Sequence, residues 1–202
     1  SKIYMVGNIL MDTLRFNHQR FARPAVMDNL GLTEKRYIVF TLNRKAIIGN
    51  DDELRALLVS MMSHTGDIPV VAPLRQLAAD AVQCIVNENP LLFENLHIVE
   101  PLDYLHFGYL TANALGVVTD SGNVAEEATF NTVPCITLNS YTEHIETVKV
   151  GSNVLVGEDP VLLGEEMARM VDGKWKHCGI PERWDGRSAE RIVQTLLECA
   201  AK

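Results

Sequence analysis

The residue types best suited to chemistry lie in the stretch TDSGNVAEE, Thr119–Glu127. Its Asp-Ser-Gly turn follows an apolar run, and two adjacent glutamates come one helical turn later. If a helix begins near Gly122, the Ser121 hydroxyl and the first backbone amides of that helix converge on one point that favours an anion. Gly122 would also let a phosphate approach the backbone closely. The stretch therefore indicates a phosphate site.

The two glutamates suggest what else this ligand carries. Glu126 and Glu127 are about 100° apart on a helix, so at most one faces the ligand and the other faces solvent or a neighbour. A carboxylate beside a phosphate suits the two vicinal hydroxyls of a ribose, as in dinucleotide sites. The alternative is a routine turn, with Asp-Ser-Gly as a helix cap and two exposed glutamates. Spacing alone leaves both open.

A second polar turn, NSYTEH at 139–144, also follows an apolar run. Ser140 and Glu143 fit a capping box at the start of a helix, and capping by itself would explain them. If both turns lie side by side at one sheet edge, however, their hydroxyl and amide donors together favour a diphosphate.

Two further segments contain candidate residues. Phe107 lies in the helical pattern DYLHFGYL, where an aromatic residue usually belongs to the core, and His106 is expected to be a partly exposed polar residue. Asn43, Arg44 and Lys45 close the first strong apolar run. Two cations there suit a polyphosphate, which arginine binds through two hydrogen bonds, although a solvated turn is the other interpretation.

Short and longer apolar patterns alternate along the chain and would position these side chains. Strands are predicted at 37–42, 68–73, 96–101, 115–120, 134–138 and 153–157. Helices are predicted at 51–65, 75–88, 103–114, 122–131 and 160–171. This alternation predicts an α/β fold with a parallel sheet covered on both faces, and ligands bind beyond the carboxyl ends of such strands. All the polar turns above fall there.

The two ends of the chain differ from this pattern. Residues 1–17 and 188–202 are helical in period but belong to no strand-helix unit, so we expect them to pack against something else. The predicted organisation is a linker and helix entering the domain at 1–20, a nucleotide-binding domain at 21–187, and a terminal helix at 188–202.

Composition excludes several functional classes. The 202 residues carry a formal net charge of −8, which argues against nucleic acid or an anionic membrane surface as partner. No apolar run is long enough for a membrane helix, and no secretory signal is visible, so a cytoplasmic location is expected. The four cysteines form no C-x-x-C pair and the six histidines no H-x-x-x-H pair, so no metal is predicted.

The region LGVVTDSGNVAEEATFNTVPCITLNSYTEHIETVKVGSNVLVGEDP resembles the C-terminal half of the non-hydrolysing UDP-N-acetylglucosamine 2-epimerases. The family pattern is Thr-Asp-Ser-Gly-Gly, Glu-Glu, a strand led by proline, Thr-Glu-Arg-Pro-Glu, and a valine-glycine turn. The resemblance extends from Gly7-Asn8 to IPERWDGRSAERI at 180–192 and covers nearly the whole chain. It implies a Rossmann-like doubly wound parallel sheet, the C-terminal domain of a two-domain enzyme of the GT-B type.

Carried over by position, the resemblance assigns UDP contacts. Phe107 would stack on uracil, Ser121 and Gly122 would bind the diphosphate, and Glu127 would take the ribose hydroxyls. Arg44 and His144 would lie beside the diphosphate. This implied role for Phe107 replaces the core interpretation, and no cofactor and no metal is implied.

The family reaction eliminates UDP across C1 and C2 of the sugar and adds it again after a proton returns to the opposite face of C2. Its acid and base carboxylates are expected in an N-terminal half that this chain lacks, so the chain alone is expected to be inactive. The intact protein is expected to be a homodimer that serves polysaccharide biosynthesis.

Four departures from the family pattern put the exact activity in question. Asn43 and Ala72 stand where the family has histidines, His144 where it has an arginine, and Asn123 where it has a second glycine. Alternatives are therefore the donor-binding domain of a GT-B glycosyltransferase, or a non-catalytic sensor of nucleotide sugars.

Overall fold

The computed structural model describes residues 3–201. A six-stranded parallel sheet forms its centre, in the order β3-β2-β1-β4-β5-β6. The strands are β1 Ile38–Phe40, β2 Val70–Pro73, β3 Leu96–Val99, β4 Gly116–Thr119, β5 Cys135–Thr137 and β6 Asn153–Leu155. Each lies inside a predicted segment, and the order is that of a Rossmann-type sheet. The α/β, Rossmann-like prediction is therefore confirmed.

Helices connect and cover the strands. They are α1 Ile9–Asn17, α2 Ala25–Asn29, α3 Lys45–Ile48, α4 Asp51–Ser63, α5 Gln76–Glu88, α6 Tyr104–Ala112, α7 Gly122–Phe130, α8 Ile145–Lys149, α9 Pro160–Val171 and α10 Ser188–Ala200. Every predicted helical segment contains a helix. The pattern did not predict α2, α3 and α8, because four or five residues are too few for a helical period to show.

The core divides at the sheet. Alternate residues of the strands face opposite sides: Ile38 and Phe40 pack in one cluster with α4, α5 and α9, whereas Val39 packs in a second cluster with α6 and α7. Both faces are thus buried, which explains why the strands read as continuous apolar runs. Ala72, at one of the departures from the family pattern, is fully buried inside β2 and packs in the first cluster.

The strand order reverses between β1 and β4, which are neighbours in the sheet although β2 and β3 separate them in sequence. We call the loops that follow β1, β4, β5 and β6 the carboxyl edge. Since consecutive connections diverge at such a reversal, the carboxyl edge is where this fold leaves room for a ligand.

The ends of the chain pack partly on each other. Met11 and Leu14 of α1 form a small third cluster with Trp184, and the Asp12 carboxylate accepts hydrogen bonds from the backbone amides of Ser188 and Ala189. The helical period predicted over 1–17 yields a helix only from Ile9 onward, and the first two residues of that segment lie outside the described ones. The domain boundaries at 20 and 187 stay predictions.

Within residues 3–201, no helix combines the length and apolarity needed to cross a membrane.

Candidate functional site

The turn between β4 and α7 is open to a ligand. Ser121 occupies the N-cap position with extended backbone, yet its side chain makes no capping hydrogen bond; its amide donates to Thr119 Oγ1 at 3.0 Å. A Cβ atom on Gly122 would meet nothing within 4 Å. Ser121 is thus the N-cap residue, as the alternative interpretation expected, but among the described residues its hydroxyl makes no capping hydrogen bond, which leaves it and the first amides of α7 available to a ligand.

A cavity of about 230 Å³ lies between the start of α7 and the 139–144 loop. Its lining includes Gly122, Asn123, Thr137, Asn139, Tyr141 and His144. The two polar turns are thus side by side, as the sequence predicted. The predicted capping box is wrong: α8 begins at Ile145 with His144 in the N-cap position, so Ser140 lies too far upstream to cap it.

Glu126 is buried, with 3% of its surface exposed, and it faces neighbours from two other parts of the chain. Its carboxylate accepts a hydrogen bond from Asn8 Nδ2 and lies 3.3 Å from His144 Nδ1. Burial raises the pKa of Glu126, whereas Asn8 and His144 lower it. Glu126 therefore links the start of α1 to the cavity through His144.

Glu127 is also buried, with 8% exposed, so the expectation of two exposed glutamates is wrong. Burial, and to a lesser extent the charge of Glu126, raises the pKa of Glu127 to about 7. No hydrogen bond to its carboxylate lowers that pKa within the described chain. Burial is the main cause of the raised pKa of Tyr104 on α6, and the charge of Glu127 adds to it, which agrees with the contact between α6 and α7. A buried carboxylate without a partner is suited to hydroxyl donors from a ligand.

On α6, Phe107 is half-buried and packs against the second core cluster, which agrees with the core interpretation of its pattern. The residue as a whole is not fully buried. His106 is occupied locally: its Nδ1 lies 2.8 Å from Asp103 Oδ2, and Asp103 caps the helix. His106 therefore has no place in the candidate site.

The loop after β1 is tied to its neighbours. Asp120 Oδ2 accepts hydrogen bonds from the amides of Asn43 and Arg44 at 2.7 and 2.5 Å. The Arg44 guanidinium contacts Glu158 Oε1 at 2.6 Å and donates to Asn139 Oδ1 at 3.1 Å. Arg44 is therefore next to the cavity but already paired. The Asn43 and Lys45 side chains are exposed.

Four contributors to this arrangement were missed by sequence reasoning: Asn8, Asp120, Asn139 and Glu158. Asp120 and Asn139 stand inside the two polar turns, so their position after strands was a signal that could have found them. Asn8 and Glu158 belong to segments far from these turns in sequence; both lie in stretches that carry the family resemblance, but no role followed from their local pattern.

The site as a whole offers free amides, a free hydroxyl, one histidine, one arginine and two buried carboxylates. Such donors and acceptors fit an anionic ligand that also carries hydroxyl groups. In the part of the chain that the structure describes, no group of three or more His, Cys, Asp or Glu side chains is arranged to hold a metal ion.

Comparisons with known proteins agree with this geometry. The family model described as UDP-N-acetylglucosamine 2-epimerase matches residues 1–197. The UDP-N-acetylglucosamine 2-epimerase of Methanocaldococcus jannaschii is 32% identical over 97% of this chain and 55% of its own length. The UDP-2,3-diacetamido-2,3-dideoxy-D-glucuronate 2-epimerase of Pseudomonas aeruginosa is 33% identical over 98% of this chain and 53% of its own.

Solved structures show the same likeness. The Methanocaldococcus jannaschii enzyme in complex with UDP-GlcNAc and UDP is 29% identical, with a TM-score of 0.75 over 96% of this chain and 55% of that one. The UDP-GlcNAc 2-epimerase of Neisseria meningitidis, at 23% identity, shares the fold with a TM-score of 0.79 over 98% of this chain and 56% of that one. This chain thus spans about half the length of the relatives it matches. It belongs to the UDP-N-acetylglucosamine 2-epimerase family.

Proposed function

We propose that this chain is the UDP-binding part of an isomerase resembling UDP-N-acetylglucosamine 2-epimerase. The observation that carries the proposal is the open start of α7, which shares its cavity with the 139–144 loop at the carboxyl edge. A family member of known structure holds UDP-GlcNAc and UDP, which supports a UDP-sugar as the ligand class.

In this proposal the diphosphate binds at the start of α7. The Ser121 hydroxyl and the amides of Gly122 and Asn123 donate to phosphate oxygens, and the positive end of the helix dipole adds to their attraction. His144 lines the same cavity, and Arg44 is one residue away through Asn139. These donors would also stabilise the negative charge that develops on UDP when it leaves the sugar.

Glu127 receives the ribose. Within residues 3–201 its carboxylate has no hydrogen-bond partner, whereas Glu126 is engaged by Asn8 and His144. Two vicinal hydroxyls would supply the hydrogen bonds that the buried carboxylate lacks, and the ionised form would gain most from them.

Phe107 stacks on the uracil. Its helix, α6, contacts α7, which carries Glu127, so ribose and base would follow one another along the α6–α7 junction. Phe107 is not fully buried, and base stacking tolerates an aromatic residue that also contributes to the core.

The reaction is proposed for the whole protein: elimination of UDP, then its re-addition after the proton returns to C2 from the opposite face. This chain would contribute nucleotide binding, and alone it would bind UDP without epimerising a UDP-sugar. The sugar itself is open, since relatives of similar identity act on sugars as different as UDP-N-acetylglucosamine and a diacetamido glucuronate. A homodimeric, cytoplasmic whole protein stays a prediction.

Calorimetric titration of UDP into this chain tests the proposal. It is carried out at pH 8, where Glu127 is ionised because its pKa is about 7. UDP is expected to bind and CMP is not. Glu127→Ala and Phe107→Ala are each expected to weaken UDP binding by about 1 to 3 kcal/mol, the range for a charge-assisted hydrogen bond or a stacked base.

Glu94→Ala is the matched control, because it removes an exposed carboxylate from the loop before β3, at the opposite edge of the sheet. UDP affinity should be unchanged in that variant. Equal binding of UDP and CMP, or unchanged UDP affinity in Glu127→Ala, would contradict the assignment of this pocket.

A further inference from the structure

The Arg44 guanidinium lies beside the 139–144 loop, yet it is not free. Nη1 lies 2.6 Å from Glu158 Oε1, 3.1 Å from Asn139 Oδ1 and 3.5 Å from the Leu138 carbonyl oxygen. These acceptors come from the loops after β5 and β6. The guanidinium is therefore shared between a carboxylate on one side and the lining of the cavity on the other.

Two acidic side chains, Glu158 and Glu53, lie near the single Arg44 guanidinium. Glu158 also raises the pKa of Glu53, the third residue of α4, so the two carboxylates are close together. Asn50 Nδ2 donates to Glu53 Oε2 at 3.0 Å. One guanidinium thus faces two acidic side chains, and without a ligand it contributes little positive potential to the neighbouring cavity.

We propose that Glu158 competes with the diphosphate of UDP for the Arg44 guanidinium, and so determines how strongly the site prefers a nucleoside diphosphate to the nucleoside. This inference rests on the proposed UDP site. When UDP binds, Arg44 exchanges the Glu158 carboxylate for a phosphate oxygen and keeps its contact with Asn139. Glu158 is then a specificity-determining residue that does not itself touch the nucleotide.

The exposure of the pair makes such an exchange feasible. The Arg44 and Glu158 side chains are 40% and 33% exposed, and Glu158 Oε1, although buried and close to Nη1, has no hydrogen-bond partner among the described residues. The pair is thus a charge contact without a well-directed hydrogen bond, and such contacts between partly exposed side chains are weak. The two phosphates of UDP together carry more charge than one carboxylate and offer several oxygens for charge-assisted hydrogen bonds from arginine. The diphosphate should therefore displace Glu158 from Arg44. The affinity for UDP is then lower than it would be without Glu158, because the ion pair must be broken.

Titration of UDP and of uridine into the chain and into its Glu158→Gln, Arg44→Gln and doubly substituted variants tests the proposal. Glu158→Gln is expected to raise UDP affinity about threefold to fivefold, the scale of a partly exposed ion pair, and to leave uridine affinity unchanged. Arg44→Gln is expected to lower UDP affinity. In the Arg44→Gln background the gain from Glu158→Gln should disappear, because the two residues act through one interaction.

Glu88→Gln is the matched control, since it removes one charge from another exposed pair, Arg55 Nη2 with Glu88 Oε1 at 2.7 Å. It should change neither affinity. If Glu158→Gln weakens UDP binding, or raises it equally in the Arg44→Gln background, Glu158 does not compete for Arg44 and the inference is wrong. If no variant binds UDP at all, the proposed function fails and the inference with it.

Discussion

The carboxyl edge and the outer face of α10 treat polar and apolar groups in opposite ways. At the carboxyl edge, Glu126 and Glu127 are almost completely buried. On α10, the side chains of Val193, Leu196 and Leu197 are more than half exposed. The carboxyl edge buries carboxylates, and α10 exposes apolar side chains to solvent. Each arrangement costs free energy when the chain is alone.

The difference shows what each region is suited to contact. A buried carboxylate without a partner among the described residues is satisfied by hydrogen-bond donors, which in the proposed site are those of the ribose diol. An exposed apolar helix face is satisfied by another apolar surface. The resemblance implies that the terminal helix at 188–202 crosses back to an N-terminal domain, and the exposed face of α10 agrees with that expectation, which stays a prediction.

The largest expected effect is on the stability of the fold and comes from a substitution of Glu127 at the carboxyl edge. A pKa of about 7 in the folded chain, against an ordinary 4.5, corresponds to about 3 kcal/mol of unfolding free energy. The folded chain binds the proton more tightly, so its stability falls as pH rises from 4.5 to 7, and the full penalty applies above that window. Glu127→Gln should therefore stabilise the chain at pH 8, as measured by urea unfolding.

The same variant should show almost no gain at pH 4, where Glu127 is protonated in both states. It should also lose UDP affinity at pH 8 while it gains stability, because the group that weakens the fold is the group assigned to the ribose. Equal stability of Glu127→Gln and the unsubstituted chain at pH 8 would show that the carboxylate is solvated in the fold.

An intermediate effect is expected where α10 is attached. The Asp12 carboxylate accepts from Ser188 N at 2.8 and 2.7 Å, so α1 supplies the cap that α10 lacks in its own sequence. Asp12→Ala should lower the unfolding free energy by about 1 kcal/mol, the usual effect of a lost cap. Thermal unfolding measures it, with Asp28→Ala as control, since Asp28 is exposed and its ion pair within residues 3–201 is with the exposed Arg23.

Loss of UDP affinity in Asp12→Ala would contradict the separation of the two regions, because Asp12 has no place in the nucleotide site. Unchanged stability would mean that solvent caps α10 as well as α1 does.

The smallest effect is expected on the outer face of α10. Leu196→Gln with Leu197→Gln should change the unfolding free energy by no more than about 0.5 kcal/mol, because both side chains are already exposed. UDP affinity should also be unchanged, whereas retention on a hydrophobic column should decrease. A large loss of stability would show that the face is covered in solution by another copy of the chain.

Most of the fold could be predicted, and the reason is burial. Strands such as β2 and β4 are buried on both faces, so their sequences are mostly apolar, and α4 and α5 carry one apolar stripe each. Prediction failed at α8, where five residues and a histidine in the N-cap position give no helical signal. The capping box assigned to Ser140 was wrong because the motif was matched to a helix that begins only at Ile145.

The candidate site was predicted less completely. Ser121, Gly122 and the 139–144 loop were identified because each follows a strand, and parallel strands bring such turns to one edge. The partners of Glu126 and Arg44 were missed, because Asn8 and Glu158 reach them from distant segments of the chain. Whether the identified residues bind UDP stays a prediction.

The sequence by itself determined the succession of strands and helices along the chain, the family, and which turns reach the carboxyl edge. Apolar periodicity and local motifs are properties of neighbouring residues, so they can be read without the fold. Only the tertiary structure decided that Glu127 is buried, that Glu126 meets His144, and that Glu158 holds Arg44. Charge and burial at these positions depend on elements that the sheet order brings together from far apart in the chain, and no local pattern encodes that order.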